Sequence, residues 1–394
     1  MLAIAERLGG FEFLPSVGNA ARTSRVRFPR RNPSEGGPKV KRLCAIAAVL
    51  VAAILTAGGT VRPAHADPSC TATYSSGSLE SFIGGLSSGA VGCLPTGSYT
   101  LASSARFTNF HSNITLEHVP TTDGAATITT TYQVEIPAAV SGVTFNHLNF
   151  VSSAPSNEFS VFFVFGDYVA FNYVDVNGGH ELNCINFGGN AGDVSTGSSI
   201  SHSRIHACGN PAGHNGMGSG AFHAVYDESS TSLAIADSYL YDTSGYGFQA
   251  YGGTVTGTSI AYSIIDGNDT GTDSGTETYA GAVTLDGANV TTVKIDHSII
   301  SCTSPGSTPS PPNYTCGNSP PNTQILYSAN LPLNSGDEIK NSCIYSPSDT
   351  EYPGHSGTDI TLTNITRANP NFHNRFAGNF TLDPGTSCAG YGPR

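Results

Sequence analysis

Ile260-Ala261-Tyr262-Ser263-Ile264-Ile265 returns thirty-five residues later as Ile295-Asp296-His297-Ser298-Ile299-Ile300. Stripped to its constant part, the phrase is an apolar residue, four intervening positions and a second apolar residue. It occurs seven times: Phe145/Phe150, Phe171/Val176, Ile200/Ile205, Ile235/Leu240, Ile260/Ile265, Ile295/Ile300 and Ile339/Ile344. Successive copies start 26, 29, 35, 25, 35 and 44 residues apart. A constant phrase at variable spacing means one structural unit per repeat, with insertions falling in loops. The residue three on from the first member is Leu148 and Val174, then Ser203, Ser238, Ser263, Ser298 and Ser342. Five stacked serines suit a corner whose hydroxyls satisfy backbone groups.

A second apolar pair precedes the phrase, as in Phe163/Phe165, Ile185/Phe187, Phe248/Ala250 and Val283/Leu285. In three coils the offset to the next phrase is ten: Val225 to Ile235, Ala250 to Ile260 and Leu285 to Ile295. That constancy places Val225, Ala250 and Leu285 in one inward column, and it places His223 in the inward register of Phe248 and Val283. Short strands separated by Gly, Asn, Ser and Thr suit a chain that turns corners. Stacked coils of this kind build parallel sheets whose rungs are about 4.8 Å apart. The expected fold is all-β and solenoidal.

Outside the coils, residues 78–87 put Leu79, Phe82, Ile83 and Leu86 on one helical face, with Ser78 as N-cap. A short helix there would cover the open edge of the first strands. Gly97-Ser98-Tyr99-Thr100-Leu101 reads as a turn into a strand, followed by strands at Ile114/Leu116 and Val134/Ile136. Insertions occupy 207–222, 267–281 and the proline-rich 301–323. The divisions expected are a leader at 1–66, a cap with the first strands at 67–110, coils at 111–366 and a closing segment at 367–394.

Lys39, Lys41 and Arg42, an apolar run over 43–55 and Ala64-His65-Ala66 have the layout of a secretory signal, with residues 1–38 as an upstream extension. The run is too short for a membrane span. Export is the expectation, with no membrane attachment after cleavage. Residues 67–394 hold seven Lys and Arg against 26 Asp and Glu, a net charge of −19. Such a surface repels nucleic acid and acidic glycans. Eight cysteines follow the leader, an even set that favours disulfides in an exported chain. They admit 105 connectivities. Pairing by locality gives Cys70–Cys93, Cys184–Cys208, Cys302–Cys316 and Cys343–Cys388.

The combination resembles the pectate-lyase-like superfamily of secreted bacterial proteins. The pieces that carry the resemblance are 79–86 followed by Gly97-Ser98-Tyr99-Thr100-Leu101, the isoleucine–serine–isoleucine coils, and His223-Ala224-Val225-Tyr226 with Tyr241-Asp242 and Gly247-Phe248-Gln249. The closing Asn369-Pro370 with Phe380-Thr381-Leu382 and Pro384-Gly385 completes them. The resemblance implies a right-handed parallel β-helix with a short N-terminal capping helix. It implies no single activity, because the superfamily hosts lyases, hydrolases, epimerases, depolymerases and non-catalytic surface proteins.

Alternation places Tyr226, Tyr251 and Asp286 one above another on the outer face, beside Gln249 and Thr284. A further column holds His206, Tyr241 and Asp266, with Asp242 beside it. Tyrosines among carboxylates suit a neutral sugar chain, with Tyr supplying the ring platform in a chain without Trp. Hydrolysis needs two carboxylates about 5 Å or about 6.5–9.5 Å apart. Asp242, Asp266 and Asp286 are the catalytic candidates on rung spacing; His206, Tyr226, Tyr241, Gln249 and Tyr251 are the candidates for sugar contacts. The stretch 266–277 matches a calcium loop at its positions 1, 3, 6 and 12, which makes Asp266, Asn268, Thr270 and Glu277 candidate Ca²⁺ ligands. Thr270 and Asp273 depart from that pattern. His214 and His223 have no visible nucleophile partner, and His223 reads as a hydrogen-bonded core histidine.

The resulting expectation is a monomeric, secreted protein that binds, and through its aspartates could cleave, a neutral polysaccharide. A non-catalytic envelope or adhesion protein is the alternative. A lyase or epimerase is the second alternative, with Arg204, His202 and His206 as its only basic cluster.

Overall fold

A computed structural model describes residues 70–394 apart from 102–105, 120–123, 154–157, 181, 190–191, 210–221, 267–281, 302–324, 328–334, 346–359 and 375–377. The leader therefore lies outside the described residues. The rest is a right-handed parallel β-helix, the hand that parallel crossovers take. Among the described residues, an 11-stranded sheet (A) and a 10-stranded sheet (B) extend from the first coils to the last, a 7-stranded sheet (C) joins them, and a 4-stranded sheet (D) is confined to the middle coils. In the middle coils the chain visits A, B, C and D in turn.

The repeated phrase is the A–B corner. Its first members stack on sheet A as Phe145, Phe171, Ile200, Ile235, Ile260, Ile295 and Ile339. Its second members stack on sheet B as Phe150, Val176, Ile205, Leu240, Ile265, Ile300 and Ile344. All are at most 2% exposed. Each such side chain contributes about 1.5–3 kcal/mol by leaving water.

Between the two members the chain turns on one left-handed residue: His202, Asp237, Tyr262, His297 and Asn341 have φ from 45° to 51°. The following serine secures the turn. Ser238 Oγ donates to the Ala236 carbonyl at 2.7 Å and accepts the Ser203 N–H at 3.2 Å. Ser263, Ser298 and Ser342 do the same for the coils beyond. The column is a backbone-satisfying ladder, as a buried corner requires.

Two register expectations need correction. Phe163/Phe165 is not the inward pair: Phe162 and Val164 stack on Ile185 and Phe187 at 0% exposure. The run Val161-Phe162-Phe163-Val164-Phe165 is apolar throughout, so alternation carries no parity there. Nor does Val225 share a column with Ala250 and Leu285. Val225 pairs with Phe248 and Val283, and Asp227 pairs with Ala250 and Leu285. His223 accordingly lies two residues before that register. Sheet D resumes three residues after Asp227 but five after Ala250 and Leu285. The equal ten-residue offsets conceal a corner two residues shorter. A two-residue slip keeps each side chain on its face and changes only its vertical neighbour.

The helix Leu79–Gly84 is capped by Ser78, whose Oγ accepts the Ser81 N–H at 3.1 Å, and it buries Leu79 and Ile83. Disulfides join Cys70 to Cys93, Cys184 to Cys208 and Cys343 to Cys388. Cys302 and Cys316 lie outside the described residues. The closing segment forms an antiparallel hairpin, Phe372–Asn374 with Asn379–Leu382. It packs on sheet B as a strap, with outward-facing Tyr239, Ile264, Ile299 and Cys343 in a second apolar cluster. Among the described residues no helix is long and apolar enough to cross a membrane.

Candidate functional site

The insertions at 207–222, 267–281 and 301–323 each join a strand of sheet B to the next strand of sheet C. Loops fixed to a rigid scaffold concentrate binding groups, which directs attention to sheet C. Its outward column runs Phe163, Asn186, Tyr226, Gln249 and Thr284. Beside it Tyr251 stands one rung from Asp286. Tyr226 therefore stacks with Gln249 and Thr284, where the equal offsets had placed it under Tyr251.

The floor of this face is an acid held by an amide. Asn186 Nδ2 donates to Glu228 Oε2 at 3.1 Å. Asn186 is 0% exposed and Glu228 6%, while Gln249, Tyr251 and Asp286 remain partly exposed above them. Burial, reinforced by Glu228, Tyr251 and Asp286, pushes the Tyr226 hydroxyl far above the ordinary phenol range. Tyr226 is thus a neutral donor at any physiological pH. Among the described residues, Asn186 Oδ1 and Thr284 Oγ1 are buried without a hydrogen-bond partner, at either end of the Tyr226–Gln249 step. Lower on the same sheet Arg106 lies 3.6 Å from Glu135 and 3.4 Å from Glu158, so its one cation meets two acids.

His223 borders the site from inside. It is 2% exposed, its Nδ1 accepts the Tyr246 N–H at 3.0 Å, and its ring meets Tyr226 edge-on at 5.3 Å. Burial lowers its pKa to about 3, so the ring is neutral and positions Tyr226 rather than exchanging protons. Asn186 and Glu228 were not singled out from sequence. Glu228 falls in the short corner after Asp227, beyond the reach of strand alternation.

The other candidates lie on sheet B. His206, Tyr241 and Asp266 share one outward column as the spacing predicts, and Ser301 continues it. His206 and Tyr241 stack with ring centres 4.9 Å apart, and His206 Nε2 is 2.9 Å from Asp175 Oδ1. The strap closes on this column, with Phe380 meeting Tyr241 edge-on at 4.9 Å. Burial pushes the Tyr241 hydroxyl up to about 12 against the pull of Arg204. Asp242 is a left-handed residue facing His180 at 3.7 Å. Asp266 is 1% exposed and accepts the Ser301 hydroxyl. Asp286 is on a different sheet from Asp242 and Asp266, so rung spacing does not relate the three.

Of the proposed calcium ligands only Asp266 is described; Asn268, Thr270 and Glu277 lie outside the described residues, as does His214. Among the described residues no group of three His, Cys, Asp or Glu side chains is placed to hold a metal ion.

No family model matches the chain, and no curated protein matches it. Similar solved structures include the pectate lyase Pel9A, at 11% identity and TM-score 0.47, covering 78% of this chain and 84% of that one. The A-module of the Azotobacter vinelandii mannuronan C-5 epimerase AlgE4 is similar at 13% identity and TM-score 0.37, covering 71% and 87%. A pectin methylesterase from Aspergillus niger is similar at 11% identity and TM-score 0.38, covering 77% and 87%.

Proposed function

We propose that this is an exported protein that binds a neutral polysaccharide across the outer face of sheet C. The observation that carries the proposal is the convergence of Tyr226, Gln249, Tyr251 and Asp286 over a floor of Asn186 and Glu228. Rings supply apolar faces to sugar C–H groups, and carboxylates and amides accept sugar hydroxyls. With 26 acidic and seven basic residues beyond the leader, the field opposes an acidic chain. That argues against the lyase and epimerase readings, which need cations to hold a uronate. Export is supported by the three disulfides, which persist in oxidising compartments.

Hydrolysis of the bound chain is a second reading, favoured by the unequal settings of two acids. Glu228 is nearly buried against Asn186, and Asp286 is partly exposed at the rim. Acids in contrasting environments can divide the roles of proton donor and base. Asp242 and Asp266, on sheet B, have no part in it. Release of reducing ends from a panel of neutral and acidic polysaccharides tests both readings. Turnover lost in Glu228→Gln with binding retained supports hydrolysis; binding without turnover supports an adhesion or envelope role. Preference for uronate chains would overturn the neutral-glycan proposal.

A further inference from the structure

Phe163 and Phe165, which point away from the core, stack on each other with ring centres 4.6 Å apart and planes at 24°. Phe159 lies 6.3 Å from Phe163, and its ring also meets that of Tyr226 at 6.3 Å. All three phenylalanines are partly exposed. Gly189 leaves Phe165 its place, since a Cβ there would come within 2.9 Å of the ring. In the outward column Phe163 stands one rung below Asn186 and two below Tyr226. Single exposed apolar side chains are ordinary, but contiguous ones beside a polar rim mark binding surfaces. This cluster continues the polar face of sheet C toward the N-terminal coils.

Its chemistry narrows what it could hold. Phenylalanine offers no hydrogen-bonding group, so a sugar hydroxyl buried there would lose water without gaining a partner. A carboxylate is no better placed. Glu135 is the rung neighbour of Phe163, and Arg106 is engaged by Glu135 at 3.6 Å and Glu158 at 3.4 Å. Stacking covers one face of each of Phe163 and Phe165, which limits the flat ring surface that a sugar would rest on. It leaves ring edges, apolar and carrying the positive side of the aromatic quadrupole. A small ester suits both properties, with its methyl group in apolar contact and its carbonyl oxygen toward the ring edges.

We infer that Phe159, Phe163 and Phe165 form an acyl subsite of the sheet C face, and that the neutral polysaccharide bound there carries short O-acyl esters such as acetate. This rests on the polysaccharide reading above and narrows its substrate class.

The test is calorimetric titration of the protein with O-acetylated glucomannan and O-acetylated xylan, each paired with the same polymer after alkaline deacetylation. For the polymer that binds, the acetylated form should bind the wild type at least fivefold more tightly. Phe163→Ala and Phe165→Ala should bring its affinity down to that of the deacetylated form, whose own binding should not change. Tyr251→Ala should weaken both forms alike. The wild-type comparison needs no variant, so it stands if a substituted chain fails to fold. Equal affinity for the two forms, or an acetyl preference that survives both phenylalanine substitutions, overturns the acyl subsite and leaves polysaccharide binding on sheet C intact. Binding of none of the four polymers counts against both.

Discussion

The Asn186 amide donates to the Glu228 carboxylate at 3.1 Å across 42 residues of chain, fixing an acid on the floor of sheet C beside Tyr226. Glu228→Gln keeps an acceptor for Asn186, so it should leave the melting temperature nearly unchanged. If the protein hydrolyses its glycan, the same substitution should lower turnover about 10²-fold or more, the usual scale for a general acid–base residue. Asn186→Ala removes one donor from a buried carboxylate and should cost about 1–3 kcal/mol in urea denaturation.

Asp227 faces the interior, 0% exposed, and its Oδ2 accepts the Thr258 hydroxyl at 2.8 Å. Burial raises its carboxyl from 3.8 to about 7. Between those values the folded chain holds a proton that the unfolded chain has released. Its contribution to stability is therefore full below pH 3.8 and declines as pH rises toward 7. Asp227→Asn keeps an acceptor for Thr258 and removes the titration. Melting temperatures across this window should decline more steeply in the wild type than in the variant. The difference at neutral pH should be on the order of a few kcal/mol, at about 1.4 kcal/mol per pKa unit.

The serine ladder can be broken at one rung. Ser263 accepts the Ser238 N–H at 3.3 Å and donates to the Ala261 carbonyl at 2.9 Å. Ser263→Ala leaves a buried N–H without its partner and should destabilise by about 1–3 kcal/mol. Urea unfolding should show a lower midpoint with an unchanged slope, because the surface exposed on unfolding is the same.

Cys343–Cys388 ties the strap to sheet B with a sequence separation of 45. Replacing both cysteines with alanine should raise amide exchange over 380–392 while leaving the sheet A and sheet B strands protected, since their ladders do not depend on the strap. Closing a loop of that length is worth about 2–4 kcal/mol. Uniformly faster exchange through the coils would mean the strap is part of the cooperative core.

The corner phrase was legible in the sequence because its two apolar members and its serine all face constraints that recur in every coil. That same regularity gave the two columns on sheets A and B, and the sheet B order of His206, Tyr241 and Asp266. Sheet C was harder to read. Its corners toward sheet D vary in length, so Val225, Ala250 and Leu285 seemed aligned at equal offsets although Asp227 holds that column. The Phe162–Phe163 parity was hidden by continuous apolarity. Glu228 escaped because its role depends on Asn186, a neighbour one rung and 42 residues away. The strap, too, was visible only as a closing segment; nothing in Phe380 alone indicates that it covers Tyr241.

Tyr251 is the partly exposed ring of the sheet C face, whereas His206 belongs to the strap-covered sheet B column. Titrating a neutral and a uronate polysaccharide into the wild type, Tyr251→Ala and His206→Ala isolates the location of binding in one measurement. The neutral chain should bind the wild type, lose about tenfold in affinity (~1.4 kcal/mol) with Tyr251→Ala and be unaffected by His206→Ala. Affinity that survives Tyr251→Ala and falls with His206→Ala, or that favours the uronate chain, would contradict binding on sheet C.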